Sequence, residues 1–508
     1  MYFEFTLEDL REGRSSTAAP HWLKLSPARA EIIGAPMGFP EIYLYHSEGL
    51  VIAASTPAAV LDRLTQLGRS ATISPFGMSQ FLHHGLVPPP HTEWEEIWFI
   101  GIGERAVLTD SPKGIDLAFE RSYEFVQANS TGQSVPSTAT LLELLTKSVD
   151  KQLAEANNQG FLMLSSGKDS VSVAVALAEG GHTDIPCITY KPSPENEEDV
   201  LAAGVCRRLG LTHRTLDLPT DTSAVEKRLV AFFEGSPRPC ADLVQIPYAL
   251  AVVDSGLMSG AVFDGSGNDA YMGYVPGSGF RTKQRYRVRS QSVARLIESI
   301  VPVDSPINYL TRSRLSSGLP CRTLRFADTK KFYADALDTE PWWHQMDEEV
   351  ADLDSIDLMS SVMTIYEDQA AVHLKAYVAA AAFGLEAKLP FTDPEIVDYF
   401  FNLPTPNKLD PDSGETKILL REMLMDTIGY DAGKVGKHYF GFAGDRFLIE
   451  HHDFVLSEIS QCTLWEPSVA SLAASWLDRV ERRSLYYHSL LILFQLSAWH
   501  NHSRYINS

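Results

Sequence analysis

The chain has 508 residues, 44% hydrophobic and 21% charged, with a formal net charge of −22. That length allows two or three domains around a sizeable core, and the composition is that of a soluble globular protein. The acidic excess argues against a protein built mainly to hold tRNA or DNA, because phosphate contacts need clustered Lys and Arg. The five cysteines, Cys187, Cys206, Cys240, Cys321 and Cys462, have the spacing of neither a zinc site nor a disulfide framework. Reduced, partly buried thiols are expected, as in a reducing compartment. The start, Met1-Tyr2-Phe3-Glu4-Phe5, lacks a basic and then apolar leader. No run is long and apolar enough to span a bilayer; the nearest, Ser489–Trp499, reads as a buried helix. A cytoplasmic protein without a membrane or nucleic-acid partner is the expectation.

In chain order, residues 1–126 read as a β-rich unit. Ile42–His46, Leu50–Ala54, Glu96–Ile100 and Arg105–Leu108 are short β-branched or aromatic runs, interrupted by helical stretches at Ala58–Gln66 and Met78–His83. Residues 127–138, rich in Ser, Thr, Gly, Asn and Pro, read as a linker. Thr138 or Thr140 is placed to cap a helix over Leu141–Ala156.

From Gly160 strands and helices alternate. Strands are predicted at Gly160–Leu164, Ile185–Tyr190, Thr215–Leu218 and Ala261–Phe263, with helices at Val171–Glu179, Glu197–Leu209 and Gln245–Met258. This rhythm predicts an α/β fold with a parallel sheet, whose ligands sit at the carboxyl ends of the strands. One such end is Ser165-Ser166-Gly167-Lys168-Asp169-Ser170. A sharp strand-to-helix turn leaves backbone N–H groups aimed at one point, which attracts an anion. Small residues let a phosphate approach, and Asp169 suits a Mg²⁺ ion that the phosphates also hold. The spacing is not that of a Walker loop. A second strand end, Asp264-Gly265-Ser266-Gly267-Asn268-Asp269, offers another small-residue turn and a second carboxylate, Asp269, for the metal.

Residues 275 to about 345 break the rhythm with a run of Arg and Lys, including Arg281, Lys283, Arg285, Arg287, Arg289 and Arg295. Two readings stand: a lid that greets an anionic substrate, or a solvated edge strand. From Ser355 onward the chain reads as mostly helical, and no internal repeat is visible.

Four blocks in order carry a family resemblance. Ser165–Ser170 resembles the pyrophosphate loop S-G-G-x-D-S. Gly265–Ala270, ending in Gly273-Tyr274, resembles G-x-G-[SG]-D-E-x-x-G-G-Y. Gly384-Leu385-Glu386-Ala387-Lys388-Leu389-Pro390-Phe391-Thr392-Asp393 and Thr416-Lys417-Ile418-Leu419-Leu420-Arg421 complete the set, with Lys437 before a Gly-Phe-like pair. The chain thus resembles the synthetase half of the asparagine synthetase family, whose relatives include β-lactam synthetases and lasso-peptide cyclases. The resemblance implies a degenerate, Ntn-hydrolase-like glutaminase domain over 1–126. It also implies an adenine-nucleotide α-hydrolase-like synthetase domain over 139–508 with a helical C-terminal part.

The resemblance further implies ATP and Mg²⁺ as cofactors, and a reaction in which a carboxylate attacks the α-phosphorus of ATP before an amine or ammonia displaces AMP. Ser165, Ser166, Gly167, Lys168, Asp169, Ser170, Asp264, Gly265 and Gly267 are then the nucleotide-binding residues, and Asp169 and Asp269 the metal ligands. Lys437, Lys417 and Ser266 are the catalytic candidates, with Lys434 a rival to Lys437. Glu386 and His213 are assigned structural roles. Three positions depart from the family pattern: Ser166 for Gly, Ser266 for Glu or Tyr, and Ala270 for an acid. Position 2 is Tyr where glutamine-dependent relatives carry a Cys, so no glutamyl thioester is expected. The leading reading is an amide ligase or cyclase that works on a small-molecule or peptide carboxylate without its own glutaminase. A catalytically degenerate scaffold and a tRNA-modifying pyrophosphate-loop enzyme are the alternatives. A separate partner protein and a homo-oligomer both stay open.

Overall fold

The computed structural model describes residues 2–13, 20–122, 133–191, 197–217, 221–288, 290–301, 305–319, 324–435, 442–482 and 484–506. The N-terminal part holds two four-stranded antiparallel sheets. In spatial order one runs Tyr2–Thr6, Leu50–Ala54, Tyr43–Ser47, Ile97–Phe99, and the other Leu23–Ser26, Arg29–Ile33, Glu104–Ser111, Gly114–Arg121. Tyr2–Thr6 and Arg29–Ile33 alternate, whereas Leu50–Ala54 is buried on both faces along most of its length. Phe3 and Phe5 of one sheet and Ala30 and Ile32 of the other point inward to a shared core, while the residues between face out. Tyr2–Thr6, Leu23–Ser26, Arg29–Ile33 and Gly114–Arg121 lie outside the predicted set. They are edge or near-edge strands in which charged, Ser or Thr residues interrupt the apolar ones, so their hydrophobic signal is thin. Helices Pro57–Gln66 and Pro75–His84 start at Thr56 and Ser74, whose hydroxyls accept the N–H groups of Ala59 and Gly77.

The second half is built on a five-stranded parallel sheet, ordered His213–Asp217, Cys187–Lys191, Gly160–Met163, Ala261–Phe263, Glu386–Lys388. Gly160–Met163 and Ala261–Phe263 are buried throughout, as strands covered on both faces must be. The chain winds outward one way from Gly160–Met163, then returns to lay Ala261–Phe263 on its other side. That reversal leaves a crevice at the carboxyl ends of these two strands. Helix Thr138–Glu155 is capped by Ser137, not by Thr138 or Thr140; Thr140 instead supplies the N–H that Ser137 accepts. Helix Thr222–Gly235 was not predicted, although Val225, Leu229, Phe232 and Phe233 make one apolar face.

The Arg-rich run is not an edge strand. Ser278–Tyr286 and Gln291–Ile300 are helices, and the period-two Arg spacing spreads its charges around the first of them. Ser489–Trp499 is buried inside helix Ser484–His502. Among the described residues, no helix is long and apolar enough to cross a membrane.

The two parts share one core: Tyr43, Phe81, Trp94 and Phe99 pack in the same cluster as Tyr248, Leu250 and Trp499. Arg238 crosses the boundary, donating to Glu93 at 2.7 Å and to the Tyr43 hydroxyl at 3.0 Å.

Candidate active site

The first loop is braced from within. The Ser170 hydroxyl accepts from the Ser165 N–H and donates to the Ser165 and Gly167 carbonyls, all at 3.1 Å. Ser165 Oγ in turn accepts from the Gly167 N–H at 3.1 Å. Helix Lys168–Glu179 then starts at Gly167 with no side-chain cap, so its first N–H groups carry the positive end of the helix dipole into the crevice. Ser166 faces away. Its N–H and hydroxyl both donate to the buried Glu198, and its carbonyl accepts from Tyr430 at 2.5 Å. The Ser-for-Gly departure therefore ties the loop to helix Glu198–Leu209, and neither donor of Ser166 is aimed at the crevice.

The second loop is folded on itself by Asp264, which accepts from both the N–H and the hydroxyl of Ser266. The glycines between let the loops touch. A Cβ on Gly265 would stand 2.6 Å from the Ser170 nitrogen, and one on Gly267, whose φ is +99°, would stand 2.6 Å from Thr392 Cγ2.

Where the loops meet, one cation gathers the acids. Lys417 Nζ lies 2.9 Å from Asp169 Oδ1, 2.6 Å from Asp269 Oδ1 and 2.7 Å from Asn268 Oδ1. The Asn268 amide also donates to Asp169 at 2.7 Å. Lys417 is buried and holds a left-handed backbone, φ +59°, a conformation that costs a non-glycine residue about 1–2 kcal/mol. Burial works against its charge, yet Asp169 and Asp269 keep its pKa above the usual lysine value. Burial likewise pushes Asp169 up, but Lys417, Lys168 and the two hydrogen bonds hold it below the usual carboxylate range. Lys168 lies beside the same group; burial lowers its pKa, assisted by Lys417 and Arg421.

The loops open on a cavity of about 200 Å³ lined by Met163, Ser165, Gly167, Asp169, Ser170, Val244, Tyr248, Gly265, Asn268, Asp269 and Lys375, among others. Behind it, helical residues Val362–His373 bring up two buried groups. Asp368 is driven above its usual pKa by burial and then by Asp269, and its Oδ2 has no hydrogen-bond partner among the described residues. His373 is held neutral by burial, its pKa down at about 4.

Of the residues singled out in sequence, the structure joins Ser165, Gly167, Asp169, Ser170, Asp264, Gly265, Ser266, Asp269 and Lys417 around this crevice. Lys437 lies outside the described residues. Lys434 is exposed and pairs with Asp431. Glu386 pairs with Lys388 at 3.1 Å, and His213 bonds the Thr189 hydroxyl at 2.9 Å, which suits the structural roles given to both. Sequence reasoning missed Asn268, Tyr248, Lys375, Asp368 and His373. The available signal was polarity out of place, because Asp368, His373 and Lys375 stand in a helical run that is largely apolar and buried.

Asp169 and Asp269 converge from neighbouring strand ends and are of the donor type a hard divalent cation takes, but in this structure the Lys417 ammonium holds both. Among the described residues, no group of three or more His, Cys, Asp or Glu side chains gathers to hold a metal by itself.

The family model described as asparagine synthase matches residues 140–438, more than half of the chain and every part of this crevice. No curated protein matches the chain.

Proposed function

The chain belongs to the asparagine synthase family, and from that premise we propose that it is an ATP-dependent, AMP-forming amide ligase or cyclase. It joins a small-molecule or peptide carboxylate to an amine or ammonia. The observation that carries the reading is the Lys417 cluster, in which Asp169, Asn268 and Asp269 from two loops are fixed by one buried cation.

In the proposed reaction a carboxylate oxygen of the acid attacks the α-phosphorus of ATP. The new O–P bond forms as the bond to the β-phosphate oxygen breaks, giving an acyl-adenylate and pyrophosphate. An amine nitrogen then adds to the acyl carbon, loses a proton, and AMP leaves with its oxygen. The uncapped start of helix Lys168–Glu179 faces the phosphates. Lys417, held charged, offsets negative charge as pyrophosphate departs. Asp169 and Asp269 would hold Mg²⁺, which when bound neutralises phosphate charge and orients the chain of phosphates. The Ser266 hydroxyl is engaged by Asp264, so it adds no strong base, and the reading favours a nucleophile that needs little deprotonation, such as a free amine. No cysteine precedes Cys187, so the N-terminal part releases no ammonia by way of a cysteine thioester. A cytoplasmic setting accompanies this reading.

The test is nucleotide turnover with ATP, Mg²⁺ and pooled carboxylic acids, separating AMP plus pyrophosphate from ADP plus phosphate. Acid-dependent AMP is expected and should vanish in Asp169→Asn. Binding of ATP with no AMP from any pool would overturn the proposal in favour of a scaffold.

A further inference from the structure

The turn Ser165–Gly167 contains two peptide planes, and each is gripped at both ends. In the Ser165–Ser166 peptide, the carbonyl accepts from the Ser170 hydroxyl at 3.1 Å and the N–H donates to Glu198. In the Ser166–Gly167 peptide, the carbonyl accepts from the Tyr430 hydroxyl at 2.5 Å and the N–H donates to Ser165 Oγ at 3.1 Å. A buried peptide plane turns only when its polar ends give up their partners, which is costly. Ser165 and Ser170 belong to the loop itself. The other two partners come from behind it: Glu198, 1% exposed, begins helix Glu198–Leu209, and Tyr430, 5% exposed, follows helix Ile418–Ile428.

These two outside groups are themselves fastened together. Arg208, near the far end of helix Glu198–Leu209, donates to the Ile428 carbonyl at 3.0 Å, so the helix that carries Glu198 is tied to the segment that carries Tyr430. Lys417, just before helix Ile418–Ile428, bonds Asp169 at 2.9 Å. The residues flanking that one helix therefore hold the phosphate loop both in the crevice and behind it. Burial, and then the charge of Glu198, push the Tyr430 phenol up to about 12, so its hydroxyl stays a donor. Neither Glu198 nor Tyr430 is among the residues lining the cavity. Their effect on a ligand there has to pass through the turn.

We propose that Glu198 and Tyr430 are positioning residues for phosphate binding. They fix from behind the two peptide planes that lead into helix Lys168–Glu179, so that the first N–H groups of that helix are aimed before the phosphates arrive. The advantage is preorganisation: donors already in place cost no reordering when charge comes to them. A turn whose planes were free to rotate would let the helix start wander, and each binding event would have to order it again. Ser166 suits this role better than Gly, because its hydroxyl adds a further bond to Glu198 at 2.9 Å. The proposal rests on the reading of the crevice as a nucleotide site.

The test uses the full chain and three probes, ATP, inorganic pyrophosphate and adenosine, each measured by displacement of a fluorescent ATP analogue. The variants are Tyr430→Phe, which removes one hydroxyl, and Glu198→Ala, with circular dichroism to check that both fold. Tyr430→Phe alone decides the matter if Glu198→Ala does not fold. The dissociation constants of ATP and pyrophosphate should rise about tenfold or more in either variant. That of adenosine, which has no phosphate, should stay within about twofold of wild type. Unchanged pyrophosphate affinity in Tyr430→Phe would overturn the proposal. Equal losses for pyrophosphate and adenosine would also overturn it, since they would mean that Tyr430 supports the fold at large. A wild-type chain that binds neither ATP nor pyrophosphate would instead overturn the nucleotide reading, and this proposal with it.

Discussion

At the scale of single residues, Lys417 does two things that one substitution cannot separate. Its ammonium neutralises Asp169 and Asp269, and its left-handed backbone turns the chain into helix Ile418–Ile428. Lys417→Ala leaves two carboxylates facing each other and keeps the strain, so a loss of about 3–5 kcal/mol in stability is expected. Lys417→Gly removes the same charge but relaxes the backbone, and should be about 1 kcal/mol more stable than the Ala variant. Urea unfolding of both measures the difference; equal values would mean that the backbone carries no strain. Neither should form AMP. His373 gives a pH-dependent counterpart. Its ordinary pKa of 6.5 falls to about 4 in the folded chain because it is buried, so protons bind the unfolded chain more tightly. Its contribution is intact above pH 6.5 and is lost as pH falls from there toward 4, by at most about 3 kcal/mol. Comparing wild type with His373→Gln at pH 7.5 and pH 5 isolates this group, since the other titrations are common to both. An identical pH dependence would refute the assignment.

At the scale of elements, the site is two strand ends pressed together, and the press is Gly265. Gly265→Ala puts a methyl 2.6 Å from the Ser170 nitrogen and 2.7 Å from the Asp169 carbonyl carbon, both backbone atoms that cannot swing aside. The loops must part, Asn268 must leave Asp169, and ATP affinity should fall by at least about tenfold while the far-ultraviolet circular dichroism stays as in wild type. Unchanged ATP affinity would show that nucleotide does not use the contact between the loops. These elements were the legible part of the sequence. Gly160–Met163 and Ala261–Phe263 are short apolar runs that end in small residues, a local pattern. The three-residue strand Glu386–Lys388 was not legible as a strand, because it gains its place from pairing with Ala261–Phe263 rather than from its own residues. The same holds for Glu198, which reads as an ordinary first-turn acid of a helix until the fold brings it under Ser166. Asp368 and His373 stand out of place on an apolar helix, but only tertiary packing reveals that they back the crevice.

At the scale of the molecule, the composition shift at 127–138 suggests separable units, whereas the packing joins them. Arg238 and Glu93 are each 1% exposed by side chain, one from each side of that segment. Glu93 accepts from two of the three guanidinium nitrogens, Nε and Nη2. The nearby Glu41 is raised to about 7, first by burial and against the pull of Arg238. Removing one partner of such a pair strands a buried charge, while replacing both by apolar groups does not. Glu93→Ala should therefore cost about 3–5 kcal/mol, and Glu93→Leu/Arg238→Met should recover part of that loss. Because Trp94 and Trp499 meet edge to face at 5.9 Å within the shared core, the loss should appear as one transition. Tryptophan fluorescence and far-ultraviolet circular dichroism should shift together in denaturant. Two transitions, with only the first moved by Glu93→Ala, would instead mean that the N-terminal sheets unfold on their own and that the crevice stands without them. A single moved transition makes the N-terminal part a structural support of the site, whatever chemistry it lacks.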